Sequence, residues 1–351
     1  MAQPSENPEA TPGAEARAMV MRLVFGGMAV QVVGVAARLN LPDEIGPDDA
    51  TVTDLAGTYG FEPVRMTRLL RALAGLQLCR EVEPGRFRLT DAGHLLRQGH
   101  PASVHRFVLM FTDPVMLGAW PRLETALRTG RTQFDEVFGQ PFFDYLTERP
   151  EKSAVFNDSM SQATSAVAAV LPGLHDFGRY RLLMDIGGGD GTLLTAVLRD
   201  HPGLRGRVFD TAPGAAQAGE VIGRTGLAGR CEVAHGDFFG SVPGGADAHL
   251  LKSILHDWDD ARVVTILRHS RAALPGDGTL LIVEPVLPET VPEEGMGGIY
   301  LSDLNMLVNV GGRERTRTEF EHVCREAGFT VTAVTPLAAT GFSLIEAVPA
   351  A

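Results

Sequence analysis

Several apolar runs in the C-terminal half of the sequence end in residues able to do chemistry. Leu183-Met184-Asp185-Ile186-Gly187-Gly188-Gly189-Asp190-Gly191-Thr192 reads as a strand, a glycine turn and the start of a helix. Backbone without Cβ atoms can approach a ligand closely there. With glycines at 187 and 189 a dinucleotide fingerprint would need Gly or Ala at 192, where Thr stands, and no Gly-Lys-Ser/Thr follows for a triphosphate loop. Asp185 and Asp190 flank the turn; carboxylates suit a cationic ligand better than a pyrophosphate. Asp210 ends the next run, about twenty residues on, where a carboxylate can accept from both ribose hydroxyls. His235-Gly236-Asp237-Phe238-Phe239 adds a carboxylate for an adenine amino group and an aromatic face. One such Asp could simply cap the following helix. A succession of strand ends carrying these groups favours a site.

The next run closes as Leu251-Lys252-Ser253-Ile254-Leu255-His256-Asp257-Trp258. His256 follows a strand, and an imidazole near pKa 6.5 is suited to assist a phenolic proton near pKa 10. Its structural alternative is to cap the helix starting at Asp259. Glu284 ends the apolar run Ile282-Val283-Glu284-Pro285, where an unpaired buried carboxylate would be costly. Glu314 lies in the Gly311-Gly312-Arg313-Glu314-Arg315-Thr316 turn, and Asp257 is expected to point elsewhere. No His-x-His or paired-Cys set is present, so no metal site is expected.

These residues need a scaffold, and the pattern after residue 181 supplies one. Strands are predicted at Leu182–Ile186, Arg207–Asp210, Cys231–Ala234, His249–Lys252, Thr279–Glu284, Thr330–Val334 and Phe342–Ala347, with helices near 191–200, 214–224, 259–273 and 317–327. Such alternation predicts a doubly wound α/β sheet with ligands at the carboxyl ends of its strands. Upstream, residues 100–175 carry Phe107, Met110, Phe111, Trp120, Phe138, Phe142, Phe143, Phe156 and Met160 at helical spacings. Most read as core; some could line a pocket for an aromatic ligand. Residues 53–97 read as helix, turn, helix and two strands, the order of a winged helix, with Thr53-Asp54 as a cap and Pro63 in the second helix's first turn. Arg65, Arg68 and Arg71 recur on that second helix and raise a DNA-binding reading. Seven Arg against five Asp+Glu over 53–97 is only mildly basic, which favours a solvated face.

The 351 residues argue for two domains, and 44% hydrophobic with 21% charged residues for a globular chain. A net charge of −12 disfavours an indiscriminate polyanion binder, so no nucleic-acid partner is expected. Cys79, Cys231 and Cys324 stand far apart, as in a reduced cytoplasmic chain. The polar N-terminus lacks a basic region before Arg17 and is expected to be a disordered tail over 1–17. Leu23–Ala37, fifteen uncharged residues, is shorter than the roughly 20 that span a bilayer. A helix this apolar is expected to be covered by a second subunit, giving a homodimer rather than a membrane anchor.

Together Asp185-Ile-Gly-Gly-Gly-Asp-Gly, Phe209-Asp210, Gly236-Asp237-Phe238-Phe239, Leu251–Trp258 and Gly311–Thr316 resemble the S-adenosylmethionine-dependent O-methyltransferases of the plant caffeate and bacterial natural-product type. The resemblance covers nearly the whole chain. It implies a winged-helix, all-helical dimerisation domain over 18–100, a helical linker and substrate-pocket region over 101–178, and a seven-stranded Rossmann-like catalytic domain over 179–351. It implies S-adenosyl-L-methionine held by Asp185, Gly187, Gly189, Asp210, Asp237, Phe238, Lys252 and Trp258. His256 is then the base, with Glu284 and Glu314 flanking it, and Phe156, Met160, Asn305, Met306 and Asn309 contact a flat aromatic or polyketide substrate. The expected activity is methyl transfer to a hydroxyl of a secondary metabolite. The alternatives are hydroxylation or decarboxylation on the same cofactor site, and a DNA-binding regulator.

Overall fold

The computed structural model describes residues 12–293 and 297–350, and the chain divides between Asp113 and Pro114 into two compact units. In the first, helices Pro12–Val24 and Gly26–Arg38 meet at Phe25 with a bend of 51°. This corrects the expectation of one helix through Leu23–Ala37: Gly26 and Gly27, poor helix formers, follow the break. Of the expected tail, residues 1–11 lie outside the described residues. Pro12–Arg17 are helical instead, with Glu15 in the first turn and Arg22 in the last, charges that complement the helix dipole. Leu23, Phe25 and Met28 are 72%, 52% and 67% exposed. Among the described residues no single helix is long and apolar enough to cross a membrane.

The rest of this unit has the winged-helix order. Strands β1 (Asp49–Thr51), β2 (Cys79–Glu83) and β3 (Arg86–Leu89) form an antiparallel sheet in the order β1-β3-β2 beside helices Val52–Tyr59 and Pro63–Gly75. Leu55, Met66, Leu70, Leu73 and Phe87 fill the space between them. Thr51, not Thr53-Asp54, caps the first helix, its hydroxyl accepting from the Asp54 N–H, because the helix begins one residue earlier than the sequence reading placed the cap. Arg65 pairs with Glu62 and Arg71 with Glu81, which compensates much of the arginine face.

The second unit carries a seven-stranded sheet. Its strands are β4 (Leu182–Ile186), β5 (Arg205–Asp210), β6 (Cys231–His235), β7 (Ala248–Lys252) and β8 (Thr279–Glu284), then β11 (Phe329–Leu337) and β12 (Phe342–Pro349). A separate two-residue pair, β9 (Val286–Leu287) and β10 (Arg315–Thr316), lies between them in sequence. The sheet order is β11-β12-β8-β7-β4-β5-β6, parallel from β8 to β6 and antiparallel at β12 and β11. Each central strand is buried on both faces: Leu183, Val208, Leu250 and Leu281 enter one apolar cluster, and Met184, Phe209, Leu251 and Ile282 the other. Such strands read as continuous apolar runs, which is why the sequence located them. Helices Thr192–Asp200, Ala218–Arg224, Asp260–Ala273 and Arg317–Glu326 match the predicted ones, and a 25-residue helix, Pro150–Leu174, precedes the sheet.

Candidate active site

The parallel order lines up Glu284, Lys252, Asp185 and Asp210 at the carboxyl ends of β8, β7, β4 and β5. Glu314 joins them through the short ladder: β9 pairs with β10, Arg315 opposite Val286, so that Glu314 directly precedes one strand of the pair and Glu284 lies two residues before the other. After β7 the chain turns at Ser253, a non-glycine residue at φ 55°, into a single 3-10 turn, Leu255–Asp257. Oε1 of Glu284 accepts from the N–H groups of Ile254 (2.9 Å) and Leu255 (2.8 Å). Glu284, fully buried, therefore fixes the loop that carries His256. His256 is not a helix cap, since the Asp259 side chain accepts from the Arg262 N–H and caps the next helix.

Nδ1 of His256 lies 3.2 Å from Glu314 Oε1 and 3.6 Å from Glu284 Oε2. Ionised carboxylates only accept, so they favour the tautomer with hydrogen on Nδ1 and leave the Nε2 lone pair free when the ring is neutral. Glu314 Oε1 also accepts from Ser302 Oγ at 2.9 Å, and the Glu314 N–H donates to Asp303. Asp257 does not point away, as expected from sequence adjacency: the tight 3-10 turn brings its Oδ1 to 3.7 Å from Nε2. Burial alone would pull the imidazolium pKa down, but Glu284, Asp257 and Glu314 outweigh it and hold it at about 10. Burial pushes the Asp257 carboxyl up to about 7 against the pull of His256, and raises Glu284 likewise. The ligand atoms of His256, Glu284 and Glu314 lie within 4.8 Å of one another, near enough to hold a cation as well as a proton.

Along the sheet edge, Gly187 at φ 69° donates its N–H to the Phe209 carbonyl, and a Cβ there would come 2.3 Å from Ile254. Gly189, at φ 56° with open space beside it, donates to Asp210 Oδ2 at 2.9 Å. Asp190 accepts from the backbone and hydroxyl of Thr192, tying the turn to its helix. Burial raises Asp185 to about 8, with Asp210 and Asp190 adding to the effect, and raises Asp210 against the N–H bonds it receives. The exposed Asp237 accepts from the Phe239 N–H. Lys252 donates to Thr164 on the long helix and lies 5.0 Å over the Phe342 ring; burial lowers its pKa to about 8.

A chain of rings borders this edge. Trp258 contacts Phe239 edge-on at 4.8 Å, Phe238 at 6.3 Å and Phe143 at 5.4 Å, and Phe143 reaches Phe156 at 6.1 Å. Its indole N–H is buried without a partner. Met160 follows Phe156 by one helical turn and is half-buried. Asn305 and Asn309 are buried in a network of their own: Asn305 Oδ1 accepts from Trp120 Nε1 and Asn309 Nδ2, which also donates to the Met116 carbonyl. Asn309 Oδ1 remains buried and unpaired, and Met306 is 9% exposed. The sequence reading missed Ser302, Thr164 and the buried Arg315. Only the neighbour of Arg315 in the glycine turn, Glu314, drew attention to that segment.

Residues 120–330 match the O-methyltransferase domain family and residues 21–99 the O-methyltransferase dimerisation domain family. An O-demethylpuromycin-O-methyltransferase of Streptomyces alboniger is 46% identical over 340 residues, covering 96% of this chain and 90% of its own. The solved structure of a mitomycin 7-O-methyltransferase superposes with a TM-score of 0.87 at 33% identity, over 96% and 99% of the two chains. An O-methyltransferase from neocarzinostatin biosynthesis, solved with S-adenosylmethionine and 2-hydroxy-5-methyl naphthoic acid, gives 0.78 at 31% identity over 91% and 95%.

Proposed function

The chain belongs to the O-methyltransferase family, with a dimerisation domain ahead of a catalytic domain that uses S-adenosylmethionine, and on that premise we propose methyl transfer to a phenolic hydroxyl of a secondary metabolite, with His256 as general base and Glu284 and Glu314 orienting it. The observation that carries this reading is the contact of both carboxylates with Nδ1 of His256, which leaves Nε2, at 3.7 Å from Asp257 and so beyond hydrogen-bond distance of that carboxylate, to take the acceptor's proton.

The cofactor edge fits a cationic adenosyl ligand. Asp185 and Asp210, both pushed up by burial, gain from a positive charge, and the open side of Gly189 leaves room for one. Asp210 is proposed to take the ribose, Asp237 and Phe238 the adenine, Gly187 and Gly189 the methionine portion, with Lys252 and Trp258 closing the ends. Bound S-adenosylmethionine supplies a methyl group on a sulfonium whose departure as a neutral thioether needs no acid. The protein's task is then to align the acceptor and remove one proton. His256 Nε2 receives that proton, and Glu314 and Glu284 stabilise the resulting imidazolium from Nδ1.

Phe143, Phe156 and Trp258 form an apolar wall suited to a flat ring, with Met160 one helical turn beyond Phe156, and the O-methyltransferase from neocarzinostatin biosynthesis binds 2-hydroxy-5-methyl naphthoic acid. Asn305, Met306 and Asn309 are proposed to border the acceptor on the far side, Asn309 through its unpaired Oδ1. The protein is proposed to work as a homodimer in the cytoplasm, without nucleic acid or membrane as partner. Methyl-labelled S-adenosylmethionine with a panel of hydroxylated aromatics, followed by mass spectrometry, tests the activity. His256→Ala should keep cofactor binding and lower turnover by about 10²-fold or more. Undiminished turnover in that variant would reject His256 as the base.

A further inference from the structure

Arg315 is the largest fully buried side chain among the described residues, at 0% exposure. A buried guanidinium is tolerated only when paired and saturated with acceptors. Its Nε and one terminal nitrogen both reach Asp260 Oδ1, at 3.0 and 2.8 Å. Beyond that pair, its terminal nitrogens donate to the carbonyls of Leu255 (2.8 Å) and Trp258 (2.7 Å). Those carbonyls lie on either side of His256 and Asp257. Glu284 holds the same loop from its N–H side, at Ile254 and Leu255. Gly312 lies against it too: a Cβ there would stand 2.0 Å from the His256 carbonyl oxygen and 2.5 Å from the Trp258 nitrogen.

We propose that Arg315 is a positioning residue for methyl transfer, its planar guanidinium fixing the Leu255–Trp258 loop so that His256 stays aligned between Glu314 and the acceptor. The inference rests on reading His256 as the base. The loop is one 3-10 turn after a left-handed Ser253, and its own backbone bonds, Asp257 N–H to the Ile254 carbonyl and Trp258 N–H to the Leu255 carbonyl, are both long at 3.3 Å. Arg315 also couples the two halves of the site. It follows Glu314 directly and pairs through β10 with Val286, two residues beyond Glu284, so one side chain references the histidine loop to the segment carrying both carboxylates. A lysine keeps the charge opposite Asp260 but replaces the fork by one point.

The test uses the full-length enzyme with Arg315→Lys, Arg315→Ala and His256→Ala, each confirmed as folded by circular dichroism at the assay temperature. Misplacing a general base by about 1 Å can cost about 10²-fold. Arg315→Lys is expected to lower kcat by about 10-fold or more, leaving acceptor KM and S-adenosylhomocysteine affinity within about twofold. The acid limb of its kcat profile should move down toward the ordinary histidine range near 6.5, as the ring loses its alignment with Glu284, Glu314 and Asp257. Added guanidinium should restore part of the turnover of Arg315→Ala. Unchanged kcat and pH profile in Arg315→Lys, with turnover lost in His256→Ala, would overturn the inference alone. Loss of S-adenosylhomocysteine binding together with turnover would mark general collapse and overturn it as well. Turnover retained in His256→Ala would instead reject the underlying reading.

Discussion

Glu284 makes two kinds of contact at once with the loop that carries His256: one oxygen accepts the N–H groups of Ile254 and Leu255, and the other stands 3.6 Å from His256 Nδ1. One buried carboxylate thus holds the loop on which the imidazole sits and, with Asp257 and Glu314, strengthens its hold on a proton. Placing the charge at the end of β8 makes this possible, because every residue of that strand is buried and the side chain has nowhere else to go.

Removing either flanking charge should move the acid limb of turnover to lower pH. The carboxylates raise the His256 imidazolium to about 10, so the neutral base is scarce at pH 7 and turnover should climb from pH 7 to 9. Glu284→Gln and Glu314→Gln each delete a negative charge while keeping an acceptor oxygen. The imidazolium then loses its proton more readily, and the limb should shift down by about one unit, equivalent to about 1.4 kcal/mol. A limb that stays in place in both variants would contradict the electrostatic account.

Asp185→Asn should stabilise the free protein at alkaline pH while weakening cofactor binding. The folded-state pKa of Asp185 is raised to about 8 from an ordinary 3.8. Between those values the folded chain binds more protons than the unfolded one, so stability falls as pH rises through that window. Without the ionisable group that fall disappears, and Tm of the variant relative to wild type should grow from pH 5 to pH 9. A gain of about 1 kcal/mol would appear as roughly 2–4 °C in a domain of this size. A Tm difference independent of pH, measured by calorimetry, would show that Asp185 carries no such cost.

Chelation should leave methyl transfer intact, because the proposed chemistry assigns a proton, not a metal, to His256, Glu284 and Glu314. Their ligand atoms still lie within 4.8 Å of one another, so added zinc should inhibit by occupying them, and EDTA should reverse the inhibition. Activity lost on dialysis against EDTA and restored by a divalent ion would mean that the trio works as a metal site.

The exposed apolar residues at the helix break should carry self-association. Leu23, Phe25 and Met28 show more than half of their surface to solvent. Leu23→Asp with Phe25→Asp should convert a dimer to monomers by light scattering. An unaltered mass for the double variant, or a monomeric wild type, would remove these residues from the interface.

The sequence by itself located the seven strands of the sheet, though not their order, most plainly at the central β4, β7 and β8, because strands buried on both faces must be written as apolar runs between turn signals. It also singled out the edge proposed to hold the cofactor, since glycines at positive φ and carboxylates at strand ends leave local marks, as at Gly187, Gly189, Asp185 and Asp210. His256, Glu284 and Glu314 could be singled out by position and resemblance. Their mutual contacts could not: they are separated by 28 and 30 residues and meet through a two-residue ladder too short to produce any periodic pattern. The bend at Phe25 and the inward turn of Asp257 likewise depended on backbone geometry. Arg315 was the least legible, because an arginine is ordinarily at the surface, and only packing against Asp260 and two loop carbonyls turns one into a buried clamp. Patterns along the chain report which face a residue takes within its own element; which residues meet across elements is decided where those elements pack, and at this site that packing sets the state of the His256 proton.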